Sequence, residues 1–206
     1  AAEIHLKNLL QQDEKNAEAR YLLAGLHLAA NDPRSAEKEF RRARDLGFDR
    51  DKVMPPLLES MYRMGQYKEV VAEAKGISLG DAAAQAQALT TMGRAQVRLA
   101  QTADAGKTFA AALAAKADYV PAQVGVASIK ALTDRPGARA AVDAVLQRNP
   151  QSVDALLLKG DLEAADRKPE AARALYEKVA DLSPYDLETR AKIVALALEL
   201  NDLPLA

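Results

Sequence analysis

The sequence predicts an all-α fold of stacked antiparallel helix pairs, about twelve helices in all. Three observations lead there. The first is composition: 44 of the 206 residues are alanine, aromatics are limited to six Tyr and three Phe, and Trp and Cys are absent. Ala, Leu, Glu, Lys, Gln and Arg lose little side-chain freedom in a helix, so this mixture favours helix throughout. The second is a recurring triplet of a small, a bulky and an apolar residue at helical spacing. The third is the placement of Pro, Gly and Asn between the apolar runs, where helix pairs must bend.

The triplet opens on Ala2, Ala36, Val70, Ala105, Ala138, Ala172 and Ala206, with steps of 34, 34, 35, 33, 34 and 34 residues. Four residues after these marks stand Leu6, Phe40, Ala74, Phe109, Val142 and Tyr176. Seven after them stand Leu9, Ala43, Ile77, Ala112, Val145 and Val179. Spacing of i, i+4 and i+7 places all three on one helix face. Twelve residues before the marks are Ala24, Leu58, Gly93, Gly160 and Val194. A mid-helix Gly costs about 1 kcal/mol against Ala. Gly93 and Gly160 are therefore expected where two helices of a pair touch closely.

The elements follow in order. Residues 1–16 match the second helix of a preceding pair. Residues 17–50, 51–85, 86–119, 120–152 and 153–186 are five complete units, and 187–206 a partial one. The chain is expected to be a single array cut from a longer protein, with uncapped ends that self-associate. At the C-terminal end, Ile193, Leu196 and Leu200 are expected to present apolar surface. Turns fall at Asn31-Asp32-Pro33, Gly65-Gln66-Tyr67, Arg135-Pro136-Gly137 and Arg167-Lys168-Pro169, where Pro suits the first turn of the helix that follows. Asn149-Pro150 and Ser183-Pro184 separate units. Lys75 to Gly80 reads as a helix fraying into a loop. Ser152 and Ser183 read as helix-start residues or caps.

Composition also excludes function classes. Lys and Arg number 28 against 29 Asp and Glu, which lacks the basic footprint of a nucleic-acid binder. Arg41, Arg42 and Arg44 form a basic run, but Glu37, Glu39 and Asp45 surround it, as on a solvated helix face. The longest stretch without a charged side chain, Ala82 to Gly93, is 12 residues, short of the about 20 that span a bilayer. Zero Cys and two His leave no thiolate or multi-histidine metal site and no cysteine nucleophile. His27, within an apolar run, reads as a packed residue, and His5 as an exposed one. No Gly-rich phosphate loop or nucleophile–base set occurs, so no catalytic residue, metal or cofactor is expected.

The 34-residue period, with Gly160, Ala172, Tyr176 and Pro184 in the fifth unit and Ala36, Phe40 and Ala43 in the first, resembles the tetratricopeptide repeat. The resemblance implies a right-handed α-solenoid whose first helices line a concave groove for protein partners. In that register the groove carries Tyr21, Leu22, Gly25 and Leu28 in the first unit. Pro55, Pro56, Glu59, Tyr62 and Arg63 follow in the second, and Thr90, Thr91, Arg94, Val97 and Arg98 in the third. The fourth gives Val124, Ser128 and Leu132, and the fifth Leu157, Leu158, Asp161 and Ala165. The strongest candidates for partner contact are Tyr21, Leu22, Glu59, Tyr62, Arg63, Arg94, Arg98, Leu157 and Asp161. Arg63, Arg94 and Arg98 can fork onto a carboxylate or phosphate. The Lys-Asn clamp of cytosolic co-chaperones is not evident, because Tyr21-Leu22, Pro55-Pro56 and Thr90-Thr91 hold the matching places.

Phrases such as Ala2-Glu-Ile-His-Leu-Lys-Asn-Leu-Leu, Tyr119-Val-Pro-Ala and Ala155-Leu-Leu-Leu-Lys-Gly-Asp-Leu also resemble the PEP-CTERM-system TPR-repeat lipoproteins. That narrower likeness implies a scaffold of a bacterial envelope assembly for exopolysaccharide production and protein sorting, periplasmic or associated with the outer membrane. Its partners would be protein segments, peptide or helix, with no nucleic acid and no insertion of this stretch into the membrane. Two other readings stand beside it: a cytosolic peptide-binding adaptor, and the non-catalytic repeat domain of a larger enzyme.

Overall fold

The computed structural model describes residues 2–183 and 187–200. Among these the chain is all-helical, with twelve helices and no strand. They are α1 (Ala2–Gln12), α2 (Ala17–Ala29), α3 (Pro33–Asp45), α4 (Arg50–Arg63), α5 (Tyr67–Ala74) and α6 (Ala82–Arg98). There follow α7 (Thr102–Ala115), α8 (Val120–Lys130), α9 (Arg135–Arg148), α10 (Val153–Ala165), α11 (Pro169–Leu182) and α12 (Leu187–Glu199). The expected stop at Pro184, the turn after Asn201 and the mark at Ala206 lie outside the described residues. Two compact units divide the chain, Ala1–Ala122 and Gln123–Ala206.

Several helix starts are fixed by side-chain caps. The carboxylates of Asp32, Asp81 and Asp134 accept from the N–H groups of Ser35, Ala84 and Gly137 at 3.1, 2.7 and 2.8 Å. Asn16 does the same for Ala19 at 2.9 Å, and the Ser152 hydroxyl caps α10, as expected. Each satisfies one of the amides that a helix N-terminus leaves without a partner.

The turns inside the pairs share one device. Asn31, Gly65, Ala100 and Arg167 all adopt left-handed backbone, with φ of +58°, +75°, +58° and +59°. The next residue donates its N–H five residues back: Asp32 to the His27 carbonyl, Gln66 to Met61, Gln101 to Gln96 and Lys168 to Glu163, at 2.8–3.1 Å. This is the Schellman closure of a helix C-terminus. The α8–α9 turn differs. There Asp134 donates to Lys130 at 2.8 Å and no left-handed residue occurs. The 33-residue step of the fourth unit thus has a local cause, because the residue that would take the left-handed position is missing.

In the first unit α2/α3, α4/α5 and α6/α7 pair, α1 lies on α2, and α2, α4 and α6 are successive neighbours. The marks form the core: Ala36, Val70 and Ala105 are fully buried, as are Phe40, Phe109, Ala43 and Ala112 to within 1%. Burying a Phe side chain stabilises by about 2–3 kcal/mol. On α1 the expected pair Leu6 and Leu9 is corrected to Leu6 and Leu10, which pack on Ala19 and Leu23, while Leu9 stays exposed. The i, i+4 pair faces α2, and Leu9 points away from it.

The helix gives way to a loop after Ala74, as expected, and the loop is clasped. Gln85 accepts from the Leu79 N–H at 2.8 Å and donates to the Ile77 carbonyl at 3.1 Å. The Asp51 carboxylate of α4 accepts from the N–H groups of Gly80 and Asp81 at 3.0 and 2.8 Å. These bonds carry Ile77 into the core at its expected place.

In the second unit α10 packs on α9 and α11, and α11 on α12. Ala138, Val142, Ala172, Tyr176 and Val179 are buried. Gly160 lies against the Tyr176 ring, as Gly93 does against Phe109 in the first unit. The apolar surface expected of α12 is corrected: Leu196 is buried against Ala172 and Tyr176, and Ile193 and Leu200 are half-buried. Val194 and Leu198 are exposed there.

Candidate functional site

The first helices α2, α4 and α6 lie side by side, so their outward faces make one surface. On α2 that face is Leu22, Gly25 and Ala29, three to four residues apart and exposed. On α4 it is Lys52 and Arg63, with Pro56 and Glu59 half-buried. On α6 it is Gln87, Val97 and Arg98, with Arg94 half-buried. Other positions of the same register turn inward, which corrects the expectation for them. Thr90 and Thr91 are 3% exposed, and Pro55 and Val124 are also buried. The Thr90 hydroxyl donates to the Ala86 carbonyl at 2.7 Å, so it is satisfied within its own helix.

The chemistry of the face concentrates where α4, α5 and α6 meet. Arg63 Nε donates to Glu59 at 2.9 Å, one turn apart on α4. Arg94 reaches the other Glu59 oxygen from α6, with its Nη1 at 3.5 Å. The Arg94 guanidinium lies over the Tyr62 ring at 4.3 Å, and that of Arg98 over the Tyr67 ring at 5.5 Å. The two rings tilt against each other at 5.3 Å. Each guanidinium is held by an aromatic face, a contact of about 0.5–2 kcal/mol. Burial pushes the Tyr62 hydroxyl above its ordinary pKa, and the nearby Arg94 and Arg98 pull the other way. The hydroxyl stays protonated at neutral pH.

The structure thus brings Glu59, Tyr62, Arg63, Arg94 and Arg98 together. Tyr67, which belongs to the same cluster, was not among the expected residues; its position opening α5 directly after the Gly65 turn is the signal that could have found it. Leu22 is 47% exposed on the neighbouring helix. Tyr21 instead stacks on Phe48 at 4.5 Å and tilts against Phe40, inside the pair. Leu157 and Asp161 belong to the second unit. Leu157 packs with Ala172, Tyr176 and Leu196. The Asp161 carboxylate accepts from the Tyr176 hydroxyl at 2.6 Å and the Lys192 ammonium at 2.7 Å, tying α10 to α11 and α12. Burial and that bond raise the Tyr176 pKa.

The basic run on α3 is paired with carboxylates of α3 and α5. Arg41 bonds Glu37 at 2.7 Å, and Arg44 bonds Glu73 of α5 at 2.7 Å. Arg42 and Arg20 share Glu39 at 3.0 and 2.8 Å. His27 is half-buried with Nδ1 3.9 Å from Asp32, and His5 is exposed. Among the described residues no three His, Asp or Glu side chains gather to hold a metal ion, and no helix is long and apolar enough to cross a membrane.

Comparison with known proteins accords with this architecture. Two tetratricopeptide-repeat models match residues 1–53 and 130–186, together just over half of the chain. No curated protein matches its sequence. Among solved structures, TTC0263, a thermophilic TPR protein of Thermus thermophilus, is 17% identical with a TM-score of 0.68, over 88% of this chain and 99% of that one. PilW, a widely conserved type IV pilus biogenesis factor, is 20% identical with a TM-score of 0.64, over 90% and 86%. YrrB, a TPR protein with an unusual peptide-binding site, is 19% identical with a TM-score of 0.55, over 98% and 100%. With its phased marks, paired helices and these matches, the chain belongs to the tetratricopeptide-repeat family, an architecture that presents helix faces to other proteins.

Proposed function

We propose that the chain is a non-catalytic scaffold that holds a segment of a partner protein on the α2–α4–α6 face. The observation that carries this reading is the cluster of Arg63, Arg94 and Arg98 around Glu59, Tyr62 and Tyr67, with exposed Leu22 on the adjacent helix. Anchored guanidiniums beside an apolar strip supply both parts of a protein contact: orientation from charge-assisted hydrogen bonds, and affinity from apolar burial. Leu157 and Asp161 offer further contact positions on the second unit.

The setting we propose is a bacterial envelope assembly, in the periplasm or at the outer membrane, serving exopolysaccharide production and protein sorting. The phrases that resemble PEP-CTERM-system lipoproteins support it, as does a fold shared with a pilus biogenesis factor. Crosslinking with mass spectrometry in native bacterial envelopes tests the reading. The expected result is loss of the partner crosslinks in an Arg94→Glu, Arg98→Glu double variant that keeps wild-type helicity. Unchanged capture by that variant overturns it.

A further inference from the structure

We infer that the turn between α6 and α7 is a yielding point built into the array: residues 96–104 open and reclose while the helices around them stay folded, and in opening they lift Val97 and Arg98 away from the α2–α4–α6 face.

Three separate costs meet in this turn. Gln96 is 5% exposed, and its side-chain oxygen has no hydrogen-bond partner among the described residues. A buried polar atom without a partner favours any movement that brings it to water. Ala100 holds left-handed backbone at φ +58°, where its Cβ crowds the following carbonyl. Gln101, at the start of α7, makes no side-chain cap for the first amides of that helix.

The sister turns show that the repeat does not require this combination. All four share one backbone closure, in which Asp32, Gln66, Gln101 and Lys168 donate five residues back at 2.8–3.1 Å. Between α2 and α3 the left-handed residue is Asn31, a type that tolerates the conformation, and the Asp32 carboxylate caps α3. His27, in the place of Gln96, lies beside Asp32. Between α4 and α5 the left-handed residue is Gly65, and Met61, with no amide to satisfy, takes the place of Gln96. Between α10 and α11 the left-handed Arg167 remains, but Glu163, in the place of Gln96, is paired with Arg139 and Lys168. Of these four turns, the one between α6 and α7 has none of the three costs relieved.

Little holds the segment shut. Of residues 96–104 only Gln96 is buried, and the fully buried Ala95 and Ala105 bracket the stretch. Opening therefore exposes little apolar surface beyond the half-buried Leu99, which is the condition for local opening short of global unfolding. Within the segment Val97 is exposed and the Arg98 guanidinium lies over the Tyr67 ring at 5.5 Å. Opening breaks that contact and unwinds the last turn of α6, whereas Arg94, held at Tyr62 and Glu59 one turn earlier, keeps its place. The face thus has two forms, one with its α6 edge complete and one without, and a ligand that touches Val97 or Arg98 selects the first. The yielding turn belongs to the folded chain itself and does not require the function proposed above.

Native-state hydrogen exchange of the full chain, read amide by amide by NMR, tests this. Leu99, Ala100 and Gln101 are expected to show protection factors about tenfold or more below those of Ala30, Asn31 and Asp32, whose backbone bonds follow the same pattern at 2.8–3.1 Å. Gln96→Met, which copies Met61, is expected to raise protection of the three about three- to tenfold and to leave Ala30, Asn31 and Asp32 unchanged. Gln101→Asp, which copies the Asp32 cap at an exposed position, is expected to raise it about threefold. Tyr67→Leu is expected to lower it about threefold, because Arg98 loses the ring beneath it. Equal protection of the two turns overturns the yielding point, and so does unchanged exchange in both Gln96→Met and Gln101→Asp. Unchanged exchange in Tyr67→Leu overturns the link to the face while the yielding turn stands.

Discussion

Gly93 of α6 lies so close beneath Phe109 of α7 that a Cβ added to it would sit 2.6 Å from the ring's Cε1. A glycine that lowers helix propensity is thus compensated by the approach it permits. Gly93→Ala is expected to destabilise the protein by about 1–3 kcal/mol, because overpacking exceeds the gain in propensity. Gly25 of α2, with nothing within 4 Å of its added Cβ, supplies the contrast. Gly25→Ala is expected to stabilise by up to about 1 kcal/mol. Thermal melts of the pair check both signs, and a stabilised Gly93→Ala contradicts the packing account.

Ala100 holds left-handed backbone that costs an L-residue about 1 kcal/mol. It is exposed, and no side-chain packing repays that cost. Ala100→Gly is expected to raise stability by about 0.5–1 kcal/mol, net of the greater freedom of glycine in the unfolded chain. Chemical denaturation measures it through a higher midpoint with unchanged slope.

Glu163 is only 7% exposed and is bonded by Arg139, which also reaches Asp166 at 2.6 Å; Lys168 lies 3.4 Å from Glu163. Arg139→Ala leaves a nearly buried carboxylate to the longer and more exposed Lys168 pair, at an expected cost of about 2–3 kcal/mol. The exposed pair of Lys107 and Asp104 at 3.6 Å is a control, where Lys107→Ala is expected to cost under about 0.5 kcal/mol. Equal effects in urea titrations refute the distinction.

Asp32 and Asp134 are held below the ordinary aspartate value of 3.8, Asp32 mainly by bonds from Ser35 and Asp134 mainly by the Gly137 N–H. Their folded pKa lies below the unfolded one, so their contribution is complete above 3.8 and is lost as pH falls through the lowered value. Helix signal followed from neutral to acid pH is expected to fall more steeply below about pH 4 in wild type than in an Asp32→Asn, Asp134→Asn variant. Parallel curves remove these caps as acid-sensitive groups.

The periodic core was legible in the sequence because each unit repeats one constraint: a small residue where helices cross, then two apolar side chains on the same face. Ala36, Phe40 and Ala43 need no tertiary knowledge to read. The binding face was legible in part. Arg63, Arg94 and Arg98 stand out as charges in a helical register, but their neighbours depend on distances across helices. Tyr67 was hidden for that reason. Thr90 and Thr91 look polar and therefore exposed, yet Thr90 satisfies its hydroxyl within its own helix. Leu9 and Leu10 differ by about 100° around α1, a rotation that the mark spacing cannot resolve on a short helix. Leu196 read as surface because the ring that covers it, Tyr176, comes from another helix. Three of the left-handed positions, Asn31, Gly65 and Arg167, open turns that the sequence marks with Pro or Gly, whereas Ala100 has neither beside it; what all four share is the bond made by the next amide.

The carboxylate of Asp51 fastens two consecutive peptide groups at the far end of an irregular seven-residue connector. A proteolytic enzyme must straighten its substrate to cut it, and this stretch resists being straightened although no helix runs through it. The joint between α5 and α6 therefore behaves as a stiff bracket, transmitting bending from one repeat to the next where an untethered linker would absorb it.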